Sequence, residues 1–384
     1  MALGLGLALS AAHVATPATA QACGGCLAPP ATVTTVDSHR MVVALSPERT
    51  TLWDQIRYQG EPEDFVWILP VPSPKTTIEL APSEFFDEMD GNTAPFVTPQ
   101  PSTSGPSVGC GGMAADSASP GDDGVTVYDQ GVVGPYETLT IGSEDPEALY
   151  TWLLENDYQV TEETALTMDH YIDQGSIFVV LRLAPEQGVG AMQPVRITYP
   201  GYMATFPLKM VKVGARGALS LSLWVVSEQR YEAYNYGNAT VDPQTLVYDW
   251  NDGSSNYDDA FLEAIDTAGG RAWVTEYAGS LPYLPGGPDE ESRIREDIRY
   301  PFVTRLRTTM LTDYLDEDLV LVPSADSSPV PRVLRAGQEI GRPETADSGC
   351  AASSLGRLHP LGLIGLAGLL ALGRRRRRQA PGCR

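Results

Sequence analysis

A nearly uninterrupted apolar segment places the strongest constraint on how this chain folds. Ile177–Leu183 reads IFVVLRL, which has the length of one strand and is apolar on both faces. Such a strand lies in the middle of a sheet that other layers cover. Further strand patterns occupy Gln193–Tyr199, Phe206–Val213 and Leu219–Val226, the last of which alternates Leu and Ser. The sequence therefore predicts a sheet-based core.

Helical patterns are fewer and shorter than strand patterns. Each predicted helix combines a start or stop signal with apolar residues at helical spacing. The resulting fold class is α+β, rich in strands, with a few short helices. Ser83 is predicted to cap the first helix, and Ser143 or Asp145 to cap a second helix that opens at Pro146. Two further helices are predicted over Thr161–Gln174 and about 258–268.

The order of the elements suggests two sheet-containing halves, residues 27–142 and 143–322, which share one core or pack separately. Thr98–Gly124 is rich in Pro, Ser, Gly and Asp and is predicted to be a mobile loop. Residues 324–349 have a similar composition without periodicity and are predicted to be a disordered linker.

Both ends of the chain carry targeting patterns. Residues 1–20 are apolar and small and end in an A-x-A site, which predicts a signal peptide cut after Ala20. Near the other end, Cys350 precedes an apolar segment and five consecutive arginines, Arg374–Arg378. The apolar segment predicts a transmembrane helix, and the arginines place its end in the cytoplasm. We therefore expect an exported protein anchored at the outer surface of the cell envelope.

The order cysteine, apolar helix, arginine cluster within residues 350–384 resembles the MYXO-CTERM sorting tails of exported bacterial proteins. This resemblance implies that the tail is processed at Cys350 and that the cysteine carries a lipid. It also implies the export and sorting machinery as partners.

The charge of the chain excludes one class of partner. The full sequence has 26 basic and 49 acidic residues and a net charge of −23. Seven of the basic residues lie in the tail, so the predicted exposed part keeps 19 basic against 49 acidic residues, a net charge of −30. Nucleic-acid binding requires a basic surface, and we expect none here.

Three cysteines, Cys23, Cys26 and Cys110, remain in the predicted exposed part besides Cys350. In an oxidising compartment a disulfide from Cys23 or Cys26 to Cys110 is the ordinary expectation. A zinc site that adds His39 is an alternative, as is redox chemistry at the CxxC pair, but one CxxC is a weak signal for either.

The sequence contains no pattern that identifies catalytic residues. Histidine is scarce: His39 is expected in a turn and His170 on the surface of a helix. No cofactor is expected, and besides the weak zinc alternative calcium is the remaining candidate, because hard oxygen ligands concentrate in one turn. An ordinary Asn/Asp/Gly turn before a helix explains the same residues. The candidate ligands are Asp249, Asn251, Asp252, Asp258 and Asp259.

A cluster of tyrosines is the main candidate for binding. Tyr231, Tyr234 and Tyr236 lie close together with Asn235 and Asn238, a combination that binds sugars or proteins when it is exposed. A tyrosine-rich hairpin loop is the alternative interpretation.

Four segments in the same order resemble the exported bacterial family called domain of unknown function 2330. The likeness covers about residues 23–323 and brings no assigned activity with it. The segments are Asp64–Pro95 (DFVWILPVPSPKTTIELAPSEFFDEMDGNTAP), ALYTWLLENDY from Ala148, MQPVRITYPGYMATFPLKMV from Met192, and Pro301–Pro323 (PFVTRLRTTMLTDYLDEDLVLVP).

Together these features predict an exported, surface-anchored protein with a structural or binding role and no catalytic activity. Its expected partners are an envelope protein or a polysaccharide. The alternative is an envelope hydrolase that uses carboxylates, with or without calcium.

Overall fold

Two sheets packed face to face form the centre of the fold. The computed structural model describes residues 26–27, 35–59, 66–100, 126–156, 158, 161–213, 215 and 217–342. These residues form 21 strands and six helices, so the α+β prediction is confirmed. The larger sheet has the strand order β14-β17-β18-β12-β2-β3-β10-β5, and the smaller has the order β1-β4-β9-β8-β7.

The strands are β1 (Cys26–Leu27), β2 (Thr35–Leu45), β3 (Arg49–Gln59), β4 (Val66–Val71), β5 (Thr77–Leu80), β6 (Phe96–Thr98), β7 (Thr126–Val133), β8 (Tyr136–Gly142), β9 (Ile177–Leu183), β10 (Val195–Pro200), β11 (Thr205–Phe206), β12 (Ala218–Ser227), β13 (Tyr231–Ala233), β14 (Gly237–Ala239), β15 (Val247–Asp249), β16 (Ser254–Ser255), β17 (Ala272–Ser280), β18 (Phe302–Leu311), β19 (Leu319–Pro323), β20 (Val333–Arg335) and β21 (Gln338–Ile340). The helices are α1 (Ser83–Thr93), α2 (Pro146–Glu155), α3 (Glu162–Ile172), α4 (Leu208–Lys212), α5 (Tyr257–Thr267) and α6 (Pro288–Asp297).

Side-chain alternation along the strands divides the residues between the layers. In β12, Leu219, Leu221 and Leu223 point into the core between the two sheets, where Val179 and Leu181 of the smaller sheet meet them. β9 lies at the centre of the smaller sheet, as its apolar sequence predicts. Its alternate residues Phe178 and Val180 face the other way.

Helices cover the outer face of each sheet. α2 and α3 pack on the smaller sheet through residues such as Leu149 and Met168. On the larger sheet, α1 and α6 cover one region and α5 covers another. The part of this face between α1 and α5 holds the site described below.

Two predicted helix boundaries are confirmed by their capping geometry. The Asp145 carboxylate accepts hydrogen bonds from the backbone N–H groups of Glu147 and Ala148, at 3.0 and 3.4 Å, and Pro146 opens α2. Gly175 follows α3 with a φ of 76°, a conformation that glycine adopts without strain. The prediction that Ser83 caps α1 is wrong. Pro82 holds the capping position and makes no side-chain hydrogen bond there.

The strand predicted for Phe206–Val213 is wrong. Only Thr205–Phe206 is extended, and after Pro207 the chain forms the short helix α4. The apolar residues of this segment point in two directions, since Leu208 joins the core between the sheets while Met210 packs with α2 and α3. A run of apolar residues does not by itself distinguish a strand from a short buried helix.

The predicted linker begins too early. Residues 324–342 contain β20, which pairs with β6, and β21, which pairs with β15. Backbone hydrogen bonds to distant strands order this segment, although its own composition is poor in apolar residues. The remaining linker residues, 343–349, lie outside the described part of the chain.

The division into halves 27–142 and 143–322 stays a prediction. In the larger sheet β2 pairs in parallel with β12, so strands from both stretches are neighbours there. The signal peptide, most of the predicted mobile loop and the anchor tail lie outside the described residues. Among the described residues, no helix is long and apolar enough to cross a membrane.

Candidate polar binding cleft

A polar cleft of about 890 Å³ opens on the outer face of the larger sheet. Its floor consists of strands β2, β12 and β18, which are neighbours inside the sheet. One wall is formed by α1 and β6, and the other by the β15–β16 turn and the start of α5. The cleft is therefore built on rigid elements.

Strand register places three arginines side by side on the floor. Ser222 in β12 lies opposite Arg40 of β2 on one side and Arg307 of β18 on the other. Trp224, two residues further along β12, lies opposite Arg305. Residues two apart on a strand point to the same face, so all three guanidinium groups are on the side away from the central core.

Arg305 is held from behind by buried groups. Its Nε donates to the fully buried carboxylate of Glu276 at 2.6 Å, and its guanidinium lies 4.8 Å from the Trp224 ring centroid. On the cleft side, Nη1 donates to Asp90 at 2.5 Å. These contacts leave the guanidinium of Arg305 little freedom to move.

Arg307, two residues further along β18, has the same arrangement of contacts. Its guanidinium lies 4.2 Å from the Phe261 ring centroid, and Nη1 reaches Glu276 at 3.4 Å and Asp258 at 3.2 Å. Burial lowers the pKa of Arg307, but the two carboxylates outweigh burial and raise it. The Arg307 side chain therefore carries a fixed positive charge.

Arg40 completes the set from the neighbouring strand. Its Nε donates to the buried amide oxygen of Gln55 at 2.7 Å, and the guanidinium lies 5.6 Å from the Phe86 ring centroid. On the cleft side, Nη2 donates to Asp87 at 2.9 Å.

The three arginines share one design. Each has a buried acceptor and an aromatic ring behind it, and one aspartate of the cleft wall in front of it. The cleft therefore presents pairs of fixed donors and acceptors, which suits recognition of a polar ligand. The pairs are Arg40–Asp87, Arg305–Asp90 and Arg307–Asp258.

The residues predicted to bind calcium lie in the β15–β16 turn and the start of α5, and one of them lines the cleft. The Asp249 carboxylate accepts from the backbone and side-chain nitrogens of Asn251, at 2.8 and 2.7 Å, and Asp252 accepts from the backbone of Ser254. Asp258 faces Arg307, and Asp259 is exposed.

These contacts are those of the ordinary turn that was the alternative to calcium. In the described part of the chain, no group of three or more His, Cys, Asp or Glu side chains is placed to hold a metal ion. Hydrogen bonding within the turn lowers the pKa of Asp252.

The tyrosine cluster does not form one exposed surface, because two of its three tyrosines are buried. A binding role for the cluster stays a prediction. Tyr231 is buried and its hydroxyl lies 3.0 Å from that of Tyr202. Tyr236 is also buried, donates to the carbonyl of Glu317 and packs under Arg271. Tyr234 alone of the three is exposed, at 74 %. Alternation in the short strand β13 and the turn after it sends these side chains to different sides.

The two histidines have different environments. His39 was predicted in a turn, and this is wrong. It is buried in β2, with Nε2 2.6 Å from the Asp54 carboxylate. His170 is on the surface of α3, as predicted, where it contacts Gln174 and Lys209 beside a second cavity of about 560 Å³.

The remaining predicted site residues cannot be placed. Ala20, Cys23, Cys110 and Cys350 lie outside the described residues, and of Cys26 the structure describes only the backbone in β1. The disulfide, the processing site and the lipid attachment stay predictions.

Sequence reasoning missed the three arginines of the cleft. A signal was present, because Ser220 and Ser222 alternate with leucines, and Arg305 and Arg307 flank Leu306. This alternation identifies a polar face on an interior strand. It does not show that β2, β12 and β18 are neighbours, and it therefore does not reveal the cleft.

The fold and the cleft define a class: an α+β protein with two packed sheets and a polar cleft built on one of them. The chain belongs to DUF2330, a family of uncharacterized proteins conserved in bacteria, whose model matches residues 17–298. The match ends before the predicted fourth segment, Pro301–Pro323. No curated protein and no solved structure matches this chain.

Proposed function

We propose that this protein is a binding protein of the bacterial cell envelope and that the cleft between α1 and α5 holds its ligand. The observation that carries this proposal is the anchoring of Arg40, Arg305 and Arg307 from behind. Binding sites gain affinity when their polar groups are fixed before the ligand arrives, because less conformational freedom is lost on binding.

The chemistry of the cleft favours binding over catalysis. Its described lining includes arginines, aspartates, serines and aromatic residues but no histidine or cysteine. Each of the three aspartates faces an arginine instead of a serine hydroxyl that it could activate. We propose an envelope protein or a polysaccharide as partner, held without a cofactor, so binding should survive chelation of calcium.

Filling the cleft should abolish binding. In the Ser222→Trp variant an indole occupies the middle of the floor, and we expect the full chain to lose at least about ten-fold in its retention of envelope material. Retention is measured by sugar content and protein content after washing, with and without a calcium chelator.

A matched variant places the same side chain at the second surface cavity. Leu166 is exposed there, and Leu166→Trp should retain envelope material as the natural chain does. Equal retention by Ser222→Trp and the natural chain, with both variants folded by circular dichroism, would contradict a binding role for the cleft.

The hydrolase is the second candidate, and one observation favours it. Asp258, from the predicted carboxylate group, lies on the cleft wall and is 80 % exposed. A hydrolase would release shorter products from envelope polysaccharide, and Asp258→Asn would stop this release while leaving retention in place.

We further propose export and anchoring through the two ends. Native mass spectrometry of the protein isolated from its own envelope should give a chain from Gln21 to Cys350 with the added mass of a lipid. A chain that keeps Arg374–Arg378 would contradict processing at Cys350 and indicate an uncleaved membrane anchor instead.

A further inference from the structure

We infer that the cleft selects a neutral, polyhydroxylated chain, that is, an uncharged polysaccharide, over an acidic polysaccharide or a peptide. This inference rests on the proposed binding function and adds the chemical class of the ligand. The charge of the cleft favours a neutral ligand. Its described lining carries three arginines and three aspartates, so their charges cancel.

The pairing of these charges suits hydroxyl groups. A guanidinium donates hydrogen bonds and a carboxylate accepts them. Neighbouring hydroxyls on a sugar ring can do both, one accepting from the arginine while the next donates to the aspartate. The paired groups are 2.5–3.2 Å apart in all three cases, so two adjacent hydroxyls can bridge each pair.

An anionic ligand meets repulsion that a neutral one does not. Each arginine already has a carboxylate in front of it, and a second carboxylate or sulfate would lie beside that aspartate. The predicted exposed part of the chain also carries a net charge of −30, which repels anions during approach.

The floor of the cleft offers little to a peptide. β-Strand addition requires a free sheet edge, and the three floor strands are each paired on both sides. The floor between the arginines consists of the hydroxyls of Ser220 and Ser222 instead of an apolar pocket.

The shape of the cleft favours a chain over a single small molecule. Arg40 and Arg307 lie on strands separated by β12, so their backbones are about 10 Å apart. At the rim, the ring of Phe96 is 57 % exposed. An apolar sugar face that stacks on this ring would remove apolar surface from water.

The test uses polysaccharide from the envelope of the producing bacterium, separated by anion exchange into a neutral and an acidic fraction. The full chain is run through native gels that contain either fraction. We expect retardation by the neutral fraction that is at least about ten-fold stronger than by the acidic one and that Ser222→Trp abolishes. Phe96→Ala should weaken it, and Tyr300→Ala, which removes an exposed ring that does not line the cleft, should not.

Removing the negative charges should change the selectivity. The double variant Asp87→Asn, Asp258→Asn leaves two arginines without a carboxylate in front, and it should be retarded by the acidic fraction more than the natural chain is. Unchanged behaviour toward that fraction would overturn the charge argument.

The outcomes separate the two proposals. If the natural chain prefers the acidic fraction, or retains envelope proteins and not polysaccharide through the cleft, the ligand class is wrong and the binding function stands. If Ser222→Trp retains both fractions and all envelope proteins as the natural chain does, the binding function itself is wrong.

Discussion

Replacing Glu290 by alanine is expected to lower the free energy of unfolding by about 3–5 kcal/mol, because it leaves a buried charge without its main partner. Glu290 is buried on α6, and both of its carboxylate oxygens accept from Nη1 of Arg196 at 2.7 Å. The carboxylate also accepts from Nε1 of Trp53 at 2.7 Å. Burial lowers the pKa of Arg196, and the neighbouring carboxylates raise it further than burial lowers it, so this side chain stays charged.

Urea unfolding measures this effect through a shift in the midpoint at unchanged slope. Glu296→Ala removes an exposed carboxylate from the same helix and should change stability by less than about 0.5 kcal/mol. Glu290→Gln keeps one acceptor and should fall between the two variants. If Glu290→Ala and Glu296→Ala behaved alike, the Glu290 contacts would not hold α6 on the sheet.

The second large effect is expected at the pair His39–Asp54 in the core between the sheets. Both side chains are 2 % exposed, and the imidazole and carboxylate are joined at 2.6 Å. His39→Leu leaves the Asp54 carboxylate buried without this hydrogen bond, and we expect a loss of about 3–5 kcal/mol. Because Nδ1 of His39 already lacks a partner among the described residues, the substitution removes one unpaired polar atom while it leaves the Asp54 carboxylate without its partner.

The double variant His39→Leu, Asp54→Leu provides the internal control. Replacing both partners of a buried polar pair by apolar groups is nearly neutral or stabilising in many proteins. We therefore expect the double variant to recover most of the loss in urea unfolding. A double variant as unstable as His39→Leu would show that packing at β2, and not the stranded carboxylate, causes the effect.

The two buried pairs also mark the limit of prediction from the sequence. His39 was expected in a turn because its neighbours Asp37, Ser38 and Arg40 are polar, and polar clusters are typical of turns. In the fold this segment is part of β2, where alternate residues face the core and the cleft. Arg40 therefore lines the cleft while His39 is buried. Helix α6 was missed for a similar reason, because its charged sequence hides the buried Glu290 and Ile294.

The candidate site was predicted in part. The acidic turn after β15 was recognised as a concentration of oxygen ligands, and Asp258 of that group does line the cleft. The role of Asp258 was not recognised, because it depends on Arg307, which lies far away in the sequence and contacts Asp258 from the floor of the cleft. The exposure of the tyrosine cluster was mispredicted for the opposite reason, since residues close in sequence were assumed to share one surface, whereas two of the three tyrosines are buried.

The sequence by itself determined those features that arise from interactions over a few residues. These include the apolar strand β9, the alternation in β12, the Asp145 cap of α2 and the glycine turn that follows α3, because side-chain period and capping are local. The tertiary structure alone decided which strands became neighbours and which polar residues were buried. The cleft exists because β12 lies between β2 and β18, and pairing between distant strands follows from the packing of the whole core instead of from any one segment.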